Sequence, residues 1–102
     1  MLQLRPNCEW CDKDLPPAAT DARICSYECT FCAQCVEAVL CDVCPDCGGG
    51  FTPRPIRPAR AWRAGVCLEQ QPASAQRVHL KWPREEVAAF VSRVRATDPA
   101  KR

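Results

Sequence analysis

Cys8-Glu9-Trp10-Cys11, Cys25-Ser26-Tyr27-Glu28-Cys29, Cys32-Ala33-Gln34-Cys35 and Cys44-Pro45-Asp46-Cys47 hold eight of the ten cysteines of this chain of 102 residues. Two thiolates two or three residues apart reach one metal from a single tight turn, and four such pairs supply the donors of two tetrahedral Zn(Cys)4 sites. The order and spacing of the pairs suit an interleaved arrangement. Cys8, Cys11, Cys32 and Cys35 then share one Zn2+, and Cys25, Cys29, Cys44 and Cys47 share the other, two ions per chain. A disulfide scaffold is the competing use of so many cysteines, and it needs an oxidising compartment. The opening stretch Met1 to Asn7 has neither an apolar core nor a small-residue cleavage site, so reduced thiols and a cytoplasmic location are expected. No apolar run reaches the length of a membrane span, and no membrane association is expected.

Charge divides the chain near Gly50. Residues 1–50 carry three Arg and Lys against eight Asp and Glu, a formal −5, and residues 51–102 carry +7. Two Zn(Cys)4 centres would take the first half to about −9. Beyond its first four residues, its large apolar side chains are few: Trp10, Leu15, Ile24, Tyr27, Phe31, Val36, Val39, Leu40 and Val43. So small a core cannot offset chain entropy, which makes metal binding the source of folding energy. One helix is expected here, over 33–40, with Val36, Val39 and Leu40 on one face. Cys44-Pro45-Asp46-Cys47 followed by Gly48-Gly49-Gly50 resembles a zinc-ribbon turn, where glycine lets backbone amides approach sulfur. The expected architecture is a small metal-stabilised α+β protein: a binuclear domain over 1–50, a Pro/Arg-rich basic linker over 51–76 and a strand-helix tail over 77–102.

The spacing C-x2-C-x13-C-x3-C-x2-C-x2-C-x8-C-x2-C is similar to the cross-brace of RING-type domains, with Cys29 where histidine is usual. A functional likeness would imply recruitment of a ubiquitin-conjugating enzyme through a shallow apolar groove. Pro45 matches the RING habit, whereas Glu9, Gly48 and a helix without tryptophan depart from it, so the likeness extends to fold alone. More specific are Leu4-Arg5-Pro6-Asn7-Cys8, Asp14-Leu15-Pro16-Pro17, Ala22-Arg23-Ile24-Cys25-Ser26, Glu28-Cys29-Thr30-Phe31-Cys32 and Cys44-Pro45-Asp46-Cys47-Gly48-Gly49. Over residues 1–60 these strings resemble a family of short bacterial proteins known as domain of unknown function 1272. That resemblance implies zinc binding and no established activity.

Beyond Gly50, Pro53, Pro55 and Pro58 favour a polyproline II course, and Arg54, Arg57, Arg60 and Arg63 recur at its period of three. Four guanidinium groups on one face, with Trp62 for stacking, could grip nucleic-acid phosphates. The reading preferred for this stretch is a stiff solvated linker, or an arm folded onto the acidic half of its own chain. Val78, Leu80 and Trp82 alternate with polar residues, which predicts a strand over 77–82 with His79 outward. A helix follows from Pro83 to about Ala96, with Pro83 at its first position, Glu85 and Glu86 at its start and Arg93 and Arg95 at its end. Its stripe of Val87, Phe90, Val91 and Val94 must be covered by the zinc domain, by the strand, or by a second copy in a homodimer.

Cys41 and Cys67 fall outside the pairs. Cys41 could replace Cys44 in another register but reads as a small buried hydrophobe. Cys67 has no activating base beside it, and the single His79 anchors no catalytic constellation. The function expected is a non-catalytic module for an unidentified protein partner. Nucleic-acid binding through the arginine stripe is the alternative. A RING-type ligase-like role and thiol-redox or metal-handling chemistry come behind it.

Overall fold

The computed structural model describes residues 1–102. Its sheet is three short antiparallel strands in the order β2-β1-β3, with β1 at Ala22–Ile24, β2 at Thr30–Cys32 and β3 at Thr52–Pro53. Strands β1 and β2 pair in the register Ala22 with Cys32, Arg23 with Phe31 and Ile24 with Thr30. The turn joining them is closed by Cys25 N donating to Cys29 O at 3.2 Å and Glu28 N to Cys25 O at 3.1 Å, with Glu28 left-handed at φ 68°. Cys25 and Cys29 therefore face each other across the mouth of a hairpin turn. Strand β2 then carries the chain three residues onward, about 10 Å at a strand's rise, so one strand joins a cysteine of one cluster, Cys29, to a cysteine of the other, Cys32.

Helix α1 (Ala33–Cys35) follows at once and widens into a π-helical turn, Val36–Leu40. Val36 and Leu40 are buried, but Val39 is 36% exposed. The expected face of Val36, Val39 and Leu40 is thus only partly realised, because the wider turn rotates Val39 outward. Cys41 and Asp42 end the helix in the left-handed region, at φ 48° and 60°. Each such non-glycine residue costs about 1–2 kcal/mol. The Asp42 carboxylate accepts from Phe51 N at 2.9 Å, and Arg102 donates to Asp42 O at 2.7 Å, which hold the reversal in place.

Phe31, Leu15, Leu40 and Val43 are fully enclosed, and Phe51 meets Phe31 edge-on with ring centroids 5.5 Å apart. The central cluster has fourteen buried residues, six of them cysteines from the four pairs, so the apolar core and the sulfur sites are one body.

Helix α2 (Arg84–Val94) starts one residue later than its sequence suggests, with Pro83 in an extended conformation at the N-cap. Glu85 and Glu86 lie in its first turn and Arg93 in its last, as the macrodipole favours. Val87 and Val91 are buried in the central cluster, and Phe90 and Val94 pack against it near Gly48. The stripe is covered by the cysteine-rich half of its own chain.

The strand expected over 77–82 does not form. The segment runs extended along the first cysteine turn, but its backbone is satisfied mainly by a side chain: Asn7 Nδ2 donates to Val78 O at 2.8 Å, and Val78 N donates to Asn7 Oδ1 at 3.1 Å. Leu80 N donates to Glu9 O at 3.1 Å. A fully buried amide thus substitutes for a neighbouring strand. The alternation holds only as far as Leu80, with Val78 and Leu80 half-buried and His79 exposed, and Trp82 is exposed.

Arg54 breaks the proposed stripe. It is 4% exposed and donates to the carbonyls of Arg5, Leu15 and Pro16 at 2.8, 3.1 and 2.9 Å. Arg57 turns inward to Gln71 O and Leu2 O, both at 2.6 Å. Arg60 and Arg63 alone remain exposed, because Thr52 and Pro53 join the sheet and pull the following residue into the core.

Candidate metal centres

The first cysteine turn is a small hairpin in which Cys8 N donates to Lys13 O at 2.8 Å and Asp12 N to Cys8 O at 2.9 Å. Asp12 takes φ 66° to close it. That turn faces the end of β2 and the start of α1. The sulfurs of Cys8, Cys11, Cys32 and Cys35 consequently all lie within 4.8 Å of one another. A tetrahedron with metal–sulfur bonds of about 2.3 Å has edges of roughly 3.8 Å. Cys11 Sγ and Cys32 Sγ, from different turns, are 3.8 Å apart. This cluster could hold a metal ion.

The second cluster brings the β1–β2 turn against the turn after Val43. Cys25, Cys29 and Cys44 have mutual sulfur distances within 4.8 Å. Cys47 is not within that distance of all three. It stands exposed on the same turn as Cys44, where Gly48 N donates to Cys44 O at 2.7 Å and Gly48 takes φ 80°. Gly49 N donates to Cys47 Sγ at 3.4 Å and Tyr27 N to Cys25 Sγ at 3.3 Å. Amide donors two residues beyond a cysteine stabilise negative charge on sulfur. The second cluster therefore holds three cysteines tightly and the fourth at its rim.

The sulfurs interact strongly enough to reorder their protons. Hydrogen bonds from the thiols of Cys29 and Cys44 push Cys25 down to about 2, and sharing with Cys25 pushes Cys29 up to about 12. Cys44 is raised by its hydrogen bonding with Cys25 and Cys29 and then by burial. In the first cluster burial pushes Cys8 and Cys35 up. Several thiolates cannot stand this close without a cation, and a divalent metal would take the place of the protons.

Cys41 and Cys67 join neither cluster: Cys41 is half-buried at the end of the π-helical turn, and Cys67 is 3% exposed. His79 lies at the surface with Nε2 3.1 Å from Asp12 Oδ1. Pro45 is buried, and the cavity of ≈ 240 Å3 beside it is walled by Trp82, Val87 and Phe90 of the same chain. The C-terminal segment thus closes in on the surface next to the proline that prompted the RING comparison. No helix is long and apolar enough to cross a membrane.

Three features had no clear sequence signal. Asn7 precedes the first cysteine but gives no sign that it will clasp a segment seventy-one residues away. Arg54 looks like one of a periodic set. Glu9 and Asp46, each inside a cysteine pair, converge on Cys29, with the three donor atoms within 4.8 Å of one another.

No solved structure matches the chain. An uncharacterized protein, R02474, of Rhizobium meliloti (strain 1021) is 55% identical over 78 residues, covering 76% of this chain and 86% of that protein. An aligned stretch of that length runs past residue 57, so the similarity reaches beyond the cysteine-rich half. The model of a family described as "Protein of unknown function (DUF1272)" matches residues 1–57, which contain all eight paired cysteines. The chain belongs to the DUF1272 family.

Proposed function

We propose that this is a small zinc protein with two structural Zn(Cys)4 centres, acting without catalysis as a module that recognises a partner protein. Cys8, Cys11, Cys32 and Cys35 hold one ion; Cys25, Cys29, Cys44 and Cys47 hold the other, Cys47 closing on the metal from the rim. The observation that carries this reading is the position of the clusters inside the core, where six cysteines make up nearly half of the central cluster. A metal so placed ties the hairpin, α1 and both outer turns together, and it leaves the surface to present contacts. Tyr27, 72% exposed beside the second cluster, and Val39 on the π-helical turn are candidate contact residues.

Native mass spectrometry of protein purified without chelator or reductant tests it. Two zinc ions per chain and no disulfide mass loss are expected, with loss of far-UV signal on chelation. A metal-free chain lighter by two hydrogens per cysteine pair would overturn the reading.

Nucleic-acid binding is the second reading, supported by one observation. The Arg60 guanidinium lies 5.5 Å from the centroid of the Trp62 ring, and both side chains are exposed in a loop that also carries Arg63. Undetectable binding to mixed-sequence RNA and DNA at low salt eliminates it.

A further inference from the structure

Around the second cysteine cluster the surface is uneven. On the side of Cys29 a cavity of ≈ 300 Å3 opens, lined by Arg5, Glu9, Cys29, Asp46, His79 and Lys81 along with Val78. Within it, Cys29 Sγ and a carboxylate oxygen from each of Glu9 and Asp46 lie within 4.8 Å of one another. Glu9 is 4% exposed, so its carboxylate is built into the fold rather than waving in solvent. Its Oε2 accepts from Arg5 Nη1 at 2.8 Å and also from Thr30 N. Asp46 Oδ1 accepts from Trp82 Nε1 at 2.9 Å. One oxygen of each carboxylate is left without a protein hydrogen-bond donor.

We propose that Glu9, Asp46 and Cys29 form a transfer position through which a divalent cation enters and leaves the second cysteine centre. This rests on the zinc reading above and adds that the two centres differ in exchange. A thiolate can bridge two cations, so Cys29 can hold an arriving ion while Cys25 and Cys44 wait behind it. The carboxylates are hard oxygen donors that hold such an ion more weakly than sulfur does. Arg5 and Lys81 stand in the same cavity and oppose a resident cation, which suits a position of passage rather than of storage. Cys47, exposed and farther from the group, is the ligand that opens as the ion moves. Around the first cluster no carboxylate groups with a sulfur in this way.

The test uses the full chain loaded with two 113Cd ions, whose NMR signals report the two centres separately and are assigned with Cys32→Ser and Cys44→Ser. Excess Zn2+ is added and each signal is followed as it decays. The second centre is expected to exchange at least about tenfold faster than the first, the scale on which residues beside a metal site tune its binding. Asp46→Asn, which keeps the hydrogen bond from Trp82, is expected to slow the second centre alone. Glu9→Gln should do the same where the variant remains folded. Equal rates at the two centres, or an unchanged second rate in Asp46→Asn, overturn the transfer position while leaving the zinc reading intact. Failure to bind two cadmium ions overturns both.

Discussion

Replacing Cys25 by serine tests the metal as a folding element. Cys25 is 4% exposed, its sulfur lies within 4.8 Å of those of Cys29 and Cys44, and it accepts the Tyr27 amide. A structural zinc site is worth about 10–16 kcal/mol in apparent binding energy, so one of four thiolates accounts for about 2.5–4 kcal/mol. Serine offers a harder donor on a shorter bond and recovers little of this. The second centre should therefore bind zinc roughly a hundred- to a thousandfold more weakly. Domains of this size are stable by only about 5–15 kcal/mol, so the loss takes much of the margin and the second centre should release its ion at low chelator concentrations.

The assay is chelator competition read by zinc content and far-UV circular dichroism, with Cys41→Ser and Cys67→Ser as controls. Both controls should keep two zinc ions. Cys67→Ser should lose about 1–3 kcal/mol of stability, because a buried hydroxyl replaces a thiol that packs as an apolar group. Wild-type chelator resistance in Cys25→Ser, or loss of an ion in either control, would refute the ligand assignment.

Arg54→Ala should destabilise the chain by about 2–4 kcal/mol in urea unfolding, since the buried carbonyl of Leu15 and the half-buried ones of Arg5 and Pro16 lose a charged donor. Arg60→Ala and Arg63→Ala should stay within about 0.5 kcal/mol of wild type. A silent Arg54→Ala would mean that the guanidinium is not buried in solution. Asn7→Ala should cost about 1–3 kcal/mol by orphaning Val78, and hydrogen exchange should show the 77–82 segment opening before the cysteine-rich half. Gly48→Ala forces a side chain into φ 80° and should cost about 1–2 kcal/mol by thermal melting, even though the added methyl would meet Phe90 at an ordinary contact distance.

How far the sequence reaches depends on whether the chemistry is local. The grouping of sulfurs is legible where pair spacing puts two cysteines on one turn: Cys8, Cys11, Cys32 and Cys35 come together as the order suggests, and Cys25, Cys29 and Cys44 do so without Cys47. Cys29 immediately precedes the short strand β2 and Cys32 ends it, so they fall in different clusters. Helix α2 is legible for a similar reason, as its stripe and terminal charges are periodic signals. What escaped is long-range satisfaction of polar groups. The pattern at Val78, Leu80 and Trp82 predicts a strand, yet alternation says nothing about the partner, and here the backbone of Val78 is met by one amide side chain while Trp82 stays exposed. The arginine period of three describes a course the chain abandons once Thr52 and Pro53 pair with β1 and Arg54 finds three carbonyls. The same logic explains the charge division at Gly50. Arg77 bonds to Asp12 and Asp14, Arg84 lies 4.6 Å from the centroid of the Trp10 ring, and Arg102 reaches Asp42 O and Gly48 O. Folding thus spends several arginines of the basic half on the acidic, cysteine-rich half of the same chain before any partner is met.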